Sequence, residues 1–140
     1  MKVLAIIPAR KGSKGIKNKN IQIVNGHPLI AYSISAAVQS KNINKIICST
    51  DSKKIATIAR KYGAETPFIR PDKYAKDLSS DLEVFSHCLN WLKNNEDYIP
   101  DLIVHLRPTY PVRERNLVSA CIKTFLKKNI DSLRTICEIK

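Results

Sequence analysis

Residues 6–20, reading IIPARKGSKGIKNKN, combine cations and glycines in a way that could do chemistry. Arg10, Lys11, Lys14, Lys17 and Lys19 fall within ten residues that hold no carboxylate. Gly12 and Gly15 let the backbone wrap close to a ligand, and the cations neutralise negative charge gathered there, so the loop suits phosphate oxygens. It is not a Walker A loop, because Gly12-Ser13-Lys14-Gly15 has the wrong spacing, and it is not a dinucleotide fingerprint of the G-x-G-x-x-G kind. Two further polar clusters stand out, Ser49-Thr50-Asp51 and the loop Arg107–Arg113 (RPTYPVR).

These clusters need elements to position them. Val3–Ile7 is an unbroken apolar run ended by Pro8, the pattern of a strand buried on both faces, and it is the expected central strand. After the basic loop, Ile21–Val24 reads as a short extended piece with Asn25-Gly26 as a turn. The spacing of Ile30, Ile34, Ala37 and Val38 predicts a helix from Pro28 to about Gln39, with Pro28 in its first turn. Lys45–Ser49 is a second buried strand, and Asp51 is placed to cap a helix striped by Ile55, Ile58, Ala59 and Tyr62 and stopped by Gly63. Ala64–Ile69 reads as an edge strand because of Pro67. Ser80 and Glu83 form a capping box for a helix to about Lys93, carried on Val84, Cys88, Trp91 and Leu92. Asp101–Leu106 is a third strand, Leu117–Phe125 a helix, and Ser132–Ile139 a fourth strand. Strands alternating with helices predict a three-layer α/β fold with a mostly parallel sheet. Ligands of such sheets bind at the carboxyl ends of the strands, where the three polar clusters lie.

Composition narrows the function. The chain has 140 residues, 44% of them hydrophobic, enough for one domain with a core. Its net charge is +12, and residues 1–50 contain eight Lys/Arg and no acid, which favours an anionic ligand at the N-terminal loop. A nucleic-acid partner would also draw on that charge, but aromatics are only 6% and no nucleic-acid module is visible. Cys48, Cys88, Cys121 and Cys137 are widely spaced in apolar segments and read as buried thiols of a reducing compartment. No stretch approaches the roughly 20 apolar residues of a membrane helix, so the expected location is cytoplasmic. His87 and His105 lie among apolar residues and read as core or rim histidines.

The run P-A-R-x-G-S-K-G-x-x-x-K-N, here Pro8 to Asn20, resembles the signature of the acylneuraminate cytidylyltransferases, the CMP-sialic acid synthetases. Ser49-Thr50-Asp51 is similar to the family's S-T-D at the end of its second main strand. Lys61–Pro71 (KYGAETPFIRP) resembles a segment that ends in Arg-Pro, Ala75–Ser80 an A-x-D-x-x-S run, and Arg107–Arg113 an L-Q-P-T-S-P-L-R loop. The first motif is fairly specific; the others gain weight as an ordered series.

The resemblance implies a Rossmann-like nucleotidyltransferase fold and an enzyme that transfers CMP from CTP to a nonulosonic, sialic-type sugar acid with release of pyrophosphate, assisted by Mg²⁺. It implies that Arg10 and Lys19 meet the triphosphate as catalytic cations, with Ser13, Lys14 and Asn20 in the same cradle. Pro8 and Ala9 would present backbone to the cytosine, and Arg70 and Ser80 would contact the nucleotide. Arg107, Thr109 and Arg113 would face the sugar acid. Arg107 stands where the family usually has glutamine and Tyr110 where it has serine, and an arginine there prefers a carboxylate or another anion. Family chains continue well past this length, and their later portion holds an acidic metal pair, part of the sugar pocket and the homodimer contact. The expectation is therefore that residues 1–140 form one nucleotide-binding domain, incomplete at its C-terminal end, with unknown metal ligands and little turnover of its own. The alternatives are a non-catalytic nucleotide-binding module and a nucleotidyltransferase acting on another sugar.

Overall fold

Six residues, Val3–Pro8, form strand β1, and the five apolar ones are all at most 1% exposed. Side chains of a strand alternate between faces. Val3, Ala5 and Ile7 accordingly join one apolar cluster, while Leu4 and Ile6 join another. The structure is a computed structural model and describes residues 1–138. Beyond β1 the strands are β2 (Ile23–Val24), β3 (His27–Pro28), β4 (Lys45–Ser49) and β5 (Leu102–His105). The α-helices are α1 (Leu29–Val38), α2 (Lys53–Lys61), α3 (Asp81–Glu96) and α4 (Leu117–Lys128).

The main sheet has the order β4-β1-β5, with both pairings parallel. Its first face carries α1, α2 and α4 through Ile30, Ile34, Ile55, Ala59, Val118 and Ile122. Its second face carries α3 through Cys88 and Leu92, with Phe85 and Trp91 packed alongside. The chain is thus the expected three-layer, Rossmann-like fold. Register matters for function: Pro8 pairs with Ser49 and Ile6 with His105, so the chain leaves all three strands along one rim.

Local chemistry explains the connections. Asn25 and Gly26 both have positive φ, 49° and 88°, which is the type I′ geometry that joins β2 to β3. Gly63, at φ 107°, ends α2 in a Schellman turn: Ala64 N–H donates to the Ala59 carbonyl and Gly63 N–H to that of Arg60.

Four expectations are corrected. Ser52, not Asp51, caps α2 through Ile55 N–H at 3.3 Å, because the Asp51 carboxylate is turned to the basic loop instead. Pro28 is the N-cap of α1 rather than a member of its first turn. The edge strand Ala64–Ile69 shrinks to one bridge, Ile47 to Glu65. Glu65 N–H reaches the Ile46 carbonyl and Cys48 N–H reaches that of Glu65, but the next donor in the ladder would be Pro67, which has no N–H. The fourth strand is absent from residues 132–138, and Ile139 lies outside the described residues. Apolar residues alone do not make a strand, which needs a hydrogen-bonding neighbour, and residues 132–138 are exposed.

Candidate functional site

Three loops leave the rim of the sheet and are tied together by backbone. Ala9 N–H donates to the Ser49 carbonyl at 2.9 Å, and Leu106 N–H donates to that of Ile6 at 3.1 Å. Lys11 N–H donates to Asp51 Oδ1 at 2.8 Å, which pins the basic loop to the end of β4. Asn20, 6% exposed, donates from its side-chain nitrogen to the Arg10 carbonyl at 3.0 Å and folds the far end of the loop back on its start.

Between these loops lies a cleft of about 250 Å³. Pro8, Arg10, Ser13, Lys19 and Asn20 line it from the basic loop, and Arg107 and Thr109 from the loop after β5. Arg70 closes its floor. The residue is 3% exposed: its guanidinium donates to the Ser49 carbonyl at 3.2 Å and the Tyr74 carbonyl at 3.0 Å, and its backbone N–H donates to the Thr50 carbonyl at 2.8 Å. Burial lowers its pKa, an effect that the nearby Asp51 charge opposes. Arg70 Nε and Ser49 Oγ are buried without a hydrogen-bond partner, and such orphan groups call for an explanation.

The remaining candidates sit elsewhere. Ala9 is buried behind the cleft at 1% exposure, and Lys14 stands at its edge through an ion pair with Asp77. The polar groups of Ser80 serve helix α3: its hydroxyl accepts from Glu83 N–H and its N–H donates to the Glu83 carboxylate at 2.7 Å. Ser79 lines the cleft in its place. Arg113 braces the loop rather than lining the cleft. It donates to Ser33 Oγ at 3.1 Å and to the Arg107 carbonyl at 3.0 Å, and it stacks over Tyr110 at 5.7 Å.

Sequence reasoning gave no site role to four polar lining residues, Lys76, Asp77, Ser79 and Asp81. Asp77 accepts from Arg10 Nη1 at 2.5 Å and pairs with Lys14 Nζ at 3.1 Å, and Asp81 pairs with Arg107. Hydrogen bonds from Arg10, then Lys14, hold the Asp77 carboxyl below the usual carboxylate range. The signal available was that Asp77 is the aspartate of the A-x-D-x-x-S run, although the sequence alone assigned it no role in the site. The lining therefore carries Arg10, Lys19, Arg70, Lys76 and Arg107 against Asp77 and Asp81, a net positive surface at the end of a parallel sheet. Among the described residues no group of three or more His, Cys, Asp or Glu could hold a metal, and no helix is long and apolar enough to cross a membrane.

A parallel sheet between two layers of helices, with a cationic cleft at its carboxyl rim, is an arrangement suited to anionic ligands. Residues 4–139 match the cytidylyltransferase family, and the chain belongs to it. It is 39% identical over 124 residues to an N-acylneuraminate cytidylyltransferase of Escherichia coli, a match covering 89% of this chain and 28% of that protein. It is 37% identical over 123 residues to a CMP-N,N'-diacetyllegionaminic acid synthase of Legionella pneumophila, covering 88% of this chain and 53% of the relative. The chain thus spans between about a quarter and a half of the length of these relatives. Among solved structures, a CMP:2-keto-3-deoxy-manno-octonic acid synthetase complexed with CTP superposes with a TM-score of 0.75 at 17% identity, over 92% of this chain and 49% of that one. That likeness establishes the fold.

Proposed function

We propose that the rim cleft binds CTP and serves the transfer of CMP to a nonulosonic acid, with release of pyrophosphate. The observation that carries this reading is the convergence of Arg10, Lys19 and Arg70 on one cleft at the carboxyl rim of the sheet, with Arg107 opposite. The names of the relatives, which cover acylneuraminic, legionaminic and pseudaminic acids, support the acceptor class.

The chemistry follows from charge. Attack by the anomeric hydroxyl of the acid on the α-phosphorus, with its proton lost to solvent, breaks the bond to the bridging oxygen of the β-phosphate, and negative charge grows on the phosphoryl oxygens and the departing pyrophosphate. Arg10 and Lys19 donate charge-assisted hydrogen bonds to those oxygens, which strengthen as the charge grows. Pro8, with Ala9 behind it, offers main chain to the base, and Arg70 lines the cleft beside them. Ser13, Lys14 and Asn20 shape the cradle, and Ser80 sets the start of α3 beside it. Arg107 takes the carboxylate of the acid, with Thr109 next to it and Arg113 fixing the loop.

Magnesium, expected from the resemblance, belongs to this reading. The carboxylates in the cleft, Asp77 and Asp81, are each engaged by cations, and the described residues offer no ligand cluster. Magnesium stays in this reading as an ion that would arrive with the triphosphate, and no step above is routed through it. The reading includes a homodimer, from the resemblance, and a cytoplasmic location, which the buried free thiols of Cys48 and Cys88 support, although Cys121 is half-buried and Cys137 exposed rather than buried as expected.

Pyrophosphate release from CTP, measured with and without each of a panel of nonulosonic acids, tests the proposal. Release that requires both CTP and one of the acids, however slow, is the expected result. Release that ignores the acid, or that follows a sugar 1-phosphate instead, would contradict it.

A further inference from the structure

We infer that Asp77 is an internal occupant of the anion cleft, a carboxylate that holds the phosphate-binding cations until a nucleotide displaces it. The inference rests on the CTP-cleft reading above and adds a residue to it. One carboxylate oxygen takes Arg10 and the other takes Lys14, at 2.5 and 3.1 Å, so the two oxygens occupy the cations that two phosphate oxygens would otherwise engage. Four residues further on, Asp81 does the same to Arg107, so one short segment presents counter-charges to cations on both sides of the cleft.

The segment is built to be displaced. Residues 75–79 contain no buried side chain, and Leu78 at its tip is 96% exposed, so no core contact holds it down. Its ends are fixed instead, at Tyr74 by the hydrogen bond from Arg70 and at Ser80 by the capping box. The Asp77 side chain is 40% exposed, that of Lys14 77% and that of Arg10 29%, so the Lys14 pair is open to water and weak and the Arg10 pair is only partly screened. A triphosphate with several charges displaces one carboxylate easily, while in its absence Arg10 and Lys14 stay near their working positions and bind stray anions less well.

The test is calorimetric binding of CTP and of inorganic tripolyphosphate, at fixed ionic strength, to four forms of the protein. These are the unaltered chain, Asp77→Asn, the double variant Arg10→Ala with Lys14→Ala, and the combination of all three changes. Removing the competitor tightens both ligands by about three- to tenfold, the scale set by two exposed ion pairs, and the gain falls below about twofold when Arg10 and Lys14 are gone. If Asp77→Asn weakens binding or leaves it unchanged while the double variant loses affinity, Asp77 is only a brace for Arg10 and the inference is wrong. A gain that persists without Arg10 and Lys14 would reduce it to a long-range field effect and overturn it equally. If the double variant binds CTP as well as the unaltered chain does, the cleft reading itself fails, and the inference falls with it.

Discussion

Arg70 joins structure and function in one side chain. Its hydrogen bonds to the Ser49 and Tyr74 carbonyls tie the end of β4 to the segment ahead of α3, while its Nε is left without a partner beside the cleft. Lysine keeps the charge but cannot span both carbonyls in one plane. Arg70→Lys is expected to lower stability by about 1–3 kcal/mol, the range for hydrogen bonds to a charged group, read as a lower urea midpoint at constant m-value. An unchanged midpoint would show that the two bonds carry no weight. Lys19 is different, because it lines the cleft without any ion pair among the described residues. Lys19→Ala should therefore leave the urea midpoint within about 0.5 kcal/mol of its starting value, as for surface changes, and weaken CTP by about tenfold or more. Loss of stability with no loss of affinity would move Lys19 out of the site.

At the scale of elements, helix α3 brings the site to one end and a pH sensitivity to its middle. Ser80→Ala removes the capping box and should cost about 1 kcal/mol of stability. His87 packs edge-on against Phe68 at 4.8 Å, and His105 of β5 packs the same way against Phe85 of α3. Burial lowers the pKa of both; Arg70 and Lys73 add to the effect at His87, while at His105 Asp81 opposes it and Arg107 adds to it. A histidine held neutral in the folded state gains a proton on unfolding once the pH drops below its free value of about 6.5, so stability rises with pH across that window. The urea midpoint should fall between pH 7.5 and 5.5, and replacing both histidines by glutamine should flatten the change. A slope that survives the double replacement would assign it to other groups. These elements differ in how far the sequence revealed them. The apolar run of β1, the Asn25-Gly26 turn, the Gly63 stop and the Ser80–Glu83 box were all legible, because each is a local rule written in local residues. The Asp51 cap was misread because Ser52 could fill the same role, and only the fold brings Lys11 N–H within reach of the Asp51 carboxylate. The truncated edge strand and the missing fourth strand failed for a related reason: whether a backbone finds a ladder partner depends on distant chain.

For the molecule as a whole, charge and topology agree. The sequence carries +12 with its first fifty residues free of acid, and the fold brings Arg10 and Lys19 of that region to the cleft at the carboxyl rim of the sheet, while Lys45 starts β4 at the opposite edge, paired with Glu65 and Glu96. The cleft was legible in the basic loop and the loop after β5, since Ser13, Lys19 and Asn20 share it with Arg107 and Thr109, whereas Ser49-Thr50-Asp51 does not line it and acts through Asp51, which takes the Lys11 N–H. What the sequence hid was the opposing charge, because nothing local pairs Asp77 with Arg10, sixty-seven positions apart. The measurement that tests the central claim most directly is the thermal unfolding of this chain with CTP, UTP, GTP and ATP at equal concentrations. A ligand that binds only the folded state stabilises it by about 2.7 kcal/mol at a hundred times its Kd. The account predicts that CTP raises the unfolding temperature more than the other three nucleotides do. Equal shifts for all four, or a larger shift with ATP or GTP, would contradict a cytidine-selective cleft.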